Sequence, residues 1–224
     1  MSKSFGDLLA KVSQCSRKTV SVAVAQDAPI LEAVKAAKEQ GIADAILVGD
    51  EAKIREIADQ IGMDLTGYEI INEPDDIEAS LKAVKLVHDH KADMYMKGLL
   101  STKDFLKSVL NKEVGLRNGK PLSHVCVFEI PGIDRLLYLT DVAFMTYPSL
   151  EEKKSIIENS VEVAHACGIP CPKVAPLAAV EVVNPKMPVT VEAAELTKMN
   201  EKGEITGCIV DGPLSMDLAI EPEA

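Results

Sequence analysis

The sequence predicts an α/β fold built from parallel βαβ units. Short strands rich in β-branched residues alternate with helices of roughly 10–15 residues through the first half of the chain, the pattern of strand–helix–strand repeats. The predicted helices carry apolar residues at helical spacing on one side, so helices are expected on both faces of the sheet. Of the 224 residues, 47% are hydrophobic and 26% are charged, which excludes wholesale disorder.

The first half contains four predicted strands, each followed by a predicted helix. The strands are residues 19–25, 45–49, 68–71 and 93–96. Asp27 and Pro29 open a helix that stops at Gly41. The second predicted helix carries Ile54, Ile57 and Ile61 on one face. The third begins after a cap at Asp75 or Asp76 and carries Ile77, Leu81, Val84 and Val87. The fourth spans residues 102–110.

The pattern changes after about residue 120. Residues 125–130 and 136–141 read as two strands joined by a turn at Pro131-Gly132. Ser149 and Glu152 form a capping box that opens a long helix. A strand at 173–177, a helix at 191–199 and a strand at 207–212 follow. We therefore predict two α/β lobes, residues 1–124 and 125–224, with a cleft between them.

Charge and composition limit the partners. The net charge of −11 argues against nucleic acid as the main partner, because phosphate-backbone binding needs a basic face. No stretch reaches the ~18 apolar residues of a membrane span, and the N-terminus lacks a signal-peptide core, so we expect a cytoplasmic protein without a membrane partner. The five cysteines include no CxxC pair and are expected to be reduced thiols. His88 and His90 are expected to be solvated rather than metal ligands, and no metal site is predicted.

Three polar segments are candidates for chemistry, because ligands of open α/β sheets bind at the carboxyl ends of strands. In the first, Lys97 and Gly98 precede Ser101 and Thr102 at the start of a helix, which suits phosphate or a polarised carbonyl. A capping box of Ser101 with Asp104, beside a solvated Lys97, is the alternative.

The second and third segments follow later strands. Arg117 lies between two glycines, where its planar guanidinium suits phosphate oxygens, and Ser123 begins the next strand. A polar surface turn with a solvated Arg117 is the alternative. Asp217 follows Asp211-Gly212-Pro213 and either caps a loop or faces the cleft.

These segments, in this order, resemble the phosphate acetyl/butyryltransferase family over essentially the whole chain, and more closely its butyryl branch. The matching residues are Val22 to Ala25, Ile42 to Gly49, Lys97-Gly98 with Thr102, Gly115-Leu116-Arg117 with Leu122-Ser123-His124, Thr140-Asp141 with Tyr147-Pro148, Gly168-Ile169-Pro170 with Pro172 to Ala175, and Asp211 to Leu214 leading to Asp217-Leu218-Ala219. Each motif is weak alone, and the ordered set is specific.

The resemblance implies a fold, a reaction and a set of roles. The fold would be a two-lobed αβα sandwich like that of isocitrate/isopropylmalate dehydrogenase, with the site in the interlobe cleft. The reaction would be butyryl-CoA plus phosphate giving butyryl phosphate plus CoA, with coenzyme A as a substrate, no bound cofactor and a homodimer or larger oligomer. The implied catalytic residues are Ser123 and Asp217, and the implied substrate-binding residues are Lys97, Gly98, Ser101, Thr102 and Arg117.

Three alternatives remain open: a phosphate acetyltransferase, an NAD- and metal-dependent dehydrogenase using Asp141, Asp211 or Asp217, and an inactive fragment that binds CoA or phosphate. The family continues past the Asp-Gly-Pro motif into a segment with a Ser-Arg pair and an Asp. A chain that ends at Ala224 is therefore expected to lack the catalytic base, to be inactive and to self-associate, with residues 125–210 keeping a near-native fold.

Overall fold

A computed structural model describes residues 2–220 of the chain. The chain separates into two units, one formed by residues 9–119 and the other by the N-terminal residues up to 8 together with the chain from residue 120 onward. The first helix, α1 (Phe5–Val12), crosses the point where the units divide. The sequence-predicted boundary between residues 124 and 125 stays a prediction.

The unit of residues 9–119 is built on a parallel sheet. Its strands are β1 (Lys18–Ala23), β2 (Ala43–Gly49), β3 (Glu69–Asn72) and β4 (Met94–Lys97), in the order β3-β2-β1-β4. All three neighbouring pairs are parallel. The helices between and after them are α2 (Ala28–Glu39), α3 (Glu51–Gln60), α4 (Asp76–His88) and α5 (Thr102–Val109). The predicted βαβ repeats are confirmed.

Apolar side chains cover both faces of this sheet. Val22 and Leu47 pack with Leu31 of α2 and Ile54 of α3 on one face. On the other face lie Ala23, Val24, Ile46 and Val48, with Ala79 and Ala83 of α4. Because neighbouring strand residues point to opposite faces, a continuous apolar strand is what a sheet covered on both sides requires.

The second unit has much shorter strands. An antiparallel hairpin joins β5 (Cys126–Phe128) and β6 (Leu137–Leu139), and a separate parallel pair joins β7 (Lys173–Val174) and β8 (Ile209–Val210). The helices are α6 (Leu150–Ala166), α7 (Pro188–Glu201) and α8 (Met216–Ile220). The predicted hairpin and the Ser149–Glu152 capping box of α6 are confirmed.

The predicted αβα sandwich is wrong for the second unit. Within its described residues, the sheets have two strands each, so there is no central sheet for helices to cover on both sides. Prolines shorten the predicted strands: Pro176 and Pro213 have no N–H to donate, and the residue before a proline is restricted. β7 ends at Val174 and β8 at Val210. The core forms instead where α6 and α7 pack on the β7–β8 pair, around Ile157, Val161, Leu196, Ile205 and Val210.

None of the helices between residues 2 and 220 is long and apolar enough to cross a membrane.

Candidate active site

Gly98 directly follows β4 and lies against the backbone at the end of β1. Its N–H donates to the carbonyl of Ala23 at 2.8 Å, and the Leu99 N–H donates to the carbonyl of Val24 at 2.9 Å. A Cβ on Gly98 would lie 2.4 Å from the Ala23 oxygen and 2.3 Å from the Val24 oxygen, closer than real contacts allow. Position 98, predicted to bind substrate, is therefore a glycine because strand β1 leaves no room for a side chain.

Val24 has a strained backbone at this same edge of the sheet. Its φ is +54°, in the left-handed region that a β-branched residue rarely adopts. The side chain is 1% exposed, so packing around the buried valine holds this conformation. Strain of this kind concentrates at functional sites, where the surrounding structure over-determines it. The carboxyl edge of β1 and β4 therefore has a constrained backbone.

Ser101 caps helix α5. Its Oγ accepts from the Asp104 N–H at 3.1 Å and donates to Asp104 Oδ2 at 2.7 Å. Because the Ser101 hydroxyl and the Lys107 ammonium bind the carboxylate, the pKa of Asp104 falls below its ordinary value. The capping alternative is confirmed for Ser101, whose hydroxyl is already used in both directions.

Lys97 and Thr102 remain available for a ligand. Both side chains are exposed, and neither has a hydrogen bond or an ion pair with another described residue. Thr102 is the first residue of α5, where backbone N–H groups without helical partners favour an anion. The carboxyl edge of β4 therefore presents an ammonium, a hydroxyl and a helix N-terminus together.

Arg117 lies at the other end of α5. The helix has eight residues and spans about 12 Å at 1.5 Å per residue, carrying the chain back to the amino edge of the sheet. There the Leu116 N–H donates to the carbonyl of Val109 at 2.8 Å. Arg117 lines an open cleft of about 490 Å³ with His88, His90 and Asp93, the residue before β4. This unit does not bring Arg117 to the Lys97–Thr102 edge.

The surroundings of Arg117 give it a structural explanation. α4 and α5 both end beside this cleft, and helix C-termini carry partial negative charge that cations stabilise. The Asp93 carboxylate in the cleft is already bound by Lys18 Nζ at 3.0 Å and by the Thr19 N–H at 2.9 Å. The expected anion clamp at Arg117 stays a prediction.

Ser123, in the second unit, is held by Asn159, a residue that no motif of the sequence marks. Asn159 of α6 donates from Nδ2 to Ser123 Oγ at 2.9 Å and to the Pro121 carbonyl at 3.2 Å. Both side chains are half-buried. The only sequence signal for Asn159 is its position as a polar residue on a helix beside buried Ile157 and Ser160.

Asp141 fixes the backbone that follows Ser123. One carboxylate oxygen accepts from the His124 N–H at 3.0 Å, and the other accepts from Ala143 at 2.9 Å and Phe144 at 2.8 Å. Desolvation raises the pKa of Asp141, but these backbone donors outweigh it, so its pKa lies below the ordinary value. Asp141 is therefore a backbone clamp at the end of the β5–β6 hairpin that carries Ser123.

Asp217 lies on α8 and has no described contact with Ser123. The Ser215 hydroxyl, with the backbone N–H groups of Asp217 and Leu218, lowers the pKa of the exposed Asp217 carboxyl. Arg135, at the turn of the hairpin, donates to the Ile220 carbonyl at the end of α8, at 2.5 Å. Ser123 and Asp141 lie at the opposite end of that hairpin. The described contacts therefore do not join the two predicted catalytic residues.

Two buried polar atoms beside the hairpin, His124 Nδ1 and Thr140 Oγ1, have no hydrogen-bond partner among residues 2–220. Burial, with the Cys167 thiol nearby, raises the pKa of Tyr138. Across residues 2–220, no group of three His, Cys, Asp or Glu side chains is arranged to hold a metal ion.

Sequence and structure comparisons connect these features to known proteins. The family model described as "Phosphate acetyl/butaryl transferase" matches residues 4–79 and 76–224. The chain is 62% identical, over all 224 residues and 74% of the relative's length, to a phosphate butyryltransferase of Clostridium acetobutylicum. It is 40% identical over 220 residues, 98% of this chain and 74% of the relative, to a phosphate acetyltransferase of Thermotoga maritima.

A solved structure matches as well. The crystal structure of a branched-chain phosphotransacylase from Enterococcus faecalis V583 superposes with a TM-score of 0.77 at 33% identity, covering 92% of this chain and 71% of that one. The α/β class is confirmed. The expected isocitrate/isopropylmalate dehydrogenase-like fold is wrong, because the structural match is to a phosphotransacylase. With a family model that covers nearly all of its length, the chain belongs to the phosphate acetyl/butaryl transferase family.

Proposed function

We propose that this protein transfers a butyryl group between coenzyme A and inorganic phosphate. The observation that carries the proposal is the 62% identity to a phosphate butyryltransferase along the entire chain. The lower identity of 40% to a phosphate acetyltransferase favours the butyryl over the acetyl substrate. Coenzyme A is then a substrate rather than a bound cofactor.

The chemistry requires cations and donors around a polyanionic substrate. In the synthetic direction, a phosphate oxygen attacks the thioester carbonyl, so that a C–O bond forms and the C–S bond breaks. The proton lost by hydrogen phosphate ends on the departing CoA thiolate. Oriented donors that stabilise the oxyanion formed at the carbonyl lower the barrier.

Lys97 and Thr102 are proposed to bind phosphate. Their side chains are exposed and have no partner among residues 2–220, and with the adjoining N-terminus of α5 they supply an ammonium, a hydroxyl and backbone N–H groups. Gly98 and Ser101 contribute through structure: Gly98 allows β4 to end against β1, and Ser101 orients α5. Arg117 is retained as a proposed phosphate ligand on the resemblance alone.

Ser123 and Asp217 are proposed catalytic residues. The Ser123 hydroxyl is suited to donate a hydrogen bond to the acyl phosphate. An exposed aspartate is ionised at neutral pH and can only accept hydrogen bonds, so Asp217 is suited to orient the thiol of CoA by accepting its proton in a hydrogen bond.

The direct test is a thiol-release assay on the intact protein. With butyryl-CoA as substrate, we expect CoA release that depends on added phosphate and that is faster than with acetyl-CoA at equal concentrations. Faster turnover of acetyl-CoA would assign the protein to the acetyl side of the family. CoA release that does not need phosphate would overturn the proposal, because it would indicate hydrolysis of the thioester.

We also propose a cytoplasmic location, a homodimer or larger assembly, and domains bounded at residues 1–124 and 125–224. The net charge of −11 and the family support a small-molecule enzyme rather than a nucleic-acid-binding protein. Light scattering of the purified intact protein measures the oligomer directly, and a monodisperse monomer would contradict that part of the proposal.

A further inference from the structure

The contact between Asn159 and Ser123 fixes which way hydrogen bonds run at the proposed catalytic serine. The Pro121 carbonyl oxygen, 3.2 Å from the Asn159 side chain, can only accept. The atom of Asn159 that faces it must therefore be the amide nitrogen. That same nitrogen lies 2.9 Å from Ser123 Oγ, so Asn159 donates to the serine and Ser123 accepts.

A serine hydroxyl has one proton to donate and two lone pairs that accept. Asn159 occupies one lone pair, and Ser123 Oγ has no other hydrogen bond with a described residue. Its proton is therefore uncommitted. The half-buried side chain leaves that proton accessible to a substrate oxygen.

Helix α6 holds this segment at a second point. Lys120, one residue before Pro121, lies 3.5 Å from Glu162, which is three residues after Asn159 and so lies on the same face of the helix. On the other side, Asp141 binds the N–H of His124. The Lys120–Glu162 ion pair is exposed and contributes little, so the Asn159 amide and the Asp141 carboxylate are the contacts that hold residues 121–124. The Asn159 amide is the side chain that touches the serine hydroxyl.

We propose that Asn159 is a positioning residue for the acyl-transfer reaction, which turns the Ser123 hydroxyl into a hydrogen-bond donor aimed at an anionic oxygen of phosphate or of the acyl phosphate. The proposal rests on the proposed function of Ser123. A carboxylate at position 159 would reverse the polarity, because an aspartate accepts from the serine and takes its proton away from the substrate.

The test compares Asn159→Asp and Asn159→Ala with a matched control, Asn200→Asp. Asn200 also donates from one amide nitrogen to two carbonyls, those of Ile205 at 2.9 Å and Cys208 at 3.0 Å, in the same unit but far from Ser123 in the chain.

We expect Asn159→Asp to lower kcat about tenfold to a hundredfold, the size of a lost hydrogen bond to a charged group. Asn159→Ala should cost less, since the freed hydroxyl can still rotate toward the substrate. Asn200→Asp should lower the melting temperature without changing kcat.

A double mutant separates positioning from a general structural effect. Ser123→Ala should lower kcat by itself, and adding Asn159→Asp to Ser123→Ala should lower it no further. Additive losses, or a kcat for Asn159→Asp equal to that of the Asn200→Asp control, would overturn the positioning role while leaving the activity established. An unchanged kcat for Ser123→Ala would overturn the proposed role of the serine, and with it this inference. If Asn159→Asp does not fold, the same cycle with Asn159→Ala gives the answer.

Discussion

The two units of the chain differ in how strongly local sequence determines their structure. Residues 9–119 form one parallel sheet of four strands, with a core on each face. The second unit has strands of two or three residues, and the described part of its core lies between helices and a single strand pair. A buried strand of several residues can be predicted from its continuous run of apolar residues. A strand of two residues is too short to produce a recognisable hydrophobic pattern.

The largest expected effect comes from removing core side chains in each unit separately. Leu47 is fully buried in the parallel sheet, and Ile205 is 1% exposed in the second unit. Each substitution to Ala should lower the free energy of unfolding by about 2–5 kcal/mol. Hydrogen exchange should speed up within residues 9–119 for Leu47→Ala and within residues 120–220 for Ile205→Ala. Equal acceleration across the whole chain for either variant would show one cooperative unit instead of two.

Gly98→Ala tests the constrained edge of the parallel sheet. A Cβ there overlaps the Ala23 and Val24 carbonyl oxygens, so the variant should lose about 3 kcal/mol of unfolding free energy. Gly62 is the control in the same unit: no other atom of the described residues lies within 4 Å of its Cβ position, so its φ of +63° is what opposes alanine. Gly62→Ala should cost about 1 kcal/mol. Equal losses in urea denaturation would show that Gly98 is not in contact with β1.

The next prediction compares the two ends of α5. Arg117→Ala should raise the apparent KM for phosphate about tenfold or more if the guanidinium binds phosphate, and Lys97→Ala should do the same at the other end. The measurement is initial rate against phosphate concentration at saturating butyryl-CoA. A normal KM for Arg117→Ala would show that Arg117 does not bind phosphate and that its role is to stabilise the nearby helix C-termini.

The position of Arg117 shows what the sequence could and could not supply. The strand–helix alternation predicted α5, and the helix of a βαβ unit carries the chain from the carboxyl edge of the sheet back toward the amino edge. Arg117 could therefore have been located at that edge from the sequence alone. Asn159 could not, because its contact with Ser123 joins residues 36 positions apart and has no local signature.

Helix ends show a similar contrast. The capping box at Ser149 was predictable because Ser and Glu at this spacing each satisfy a backbone N–H. Asp27 has the right residue type before Pro29, yet its side chain makes no capping hydrogen bond. Strand β1 ends at Ala23 rather than at Ala25, because Val24 takes a left-handed conformation that residue type does not predict.

The smallest expected effect is a pH dependence in the second unit. The pKa of Asp141 in the folded protein lies below the ordinary value of 3.8. The ionised carboxylate therefore contributes its full stabilisation above about pH 3.8, the pKa of an unfolded aspartate. That stabilisation is lost as the pH falls through the lower pKa of the folded state. Urea denaturation measures this as the free energy of unfolding at pH 5 and at pH 3. At pH 5, Asp141→Asn should be less stable than the unaltered protein. Between pH 5 and pH 3, its free energy of unfolding should fall by less. Parallel losses in both proteins would mean that the backbone donors do not favour the carboxylate.

If the protein is a phosphate butyryltransferase, the butyryl group passes to phosphate itself. Incubation of the intact protein with butyryl-CoA and phosphate, followed by phosphorus NMR and hydroxylamine trapping, measures this product directly. We expect butyryl phosphate, recovered as butyryl hydroxamate, in an amount equal to the CoA released. Free butyrate as the first product, or no acyl phosphate while CoA is released, would contradict it.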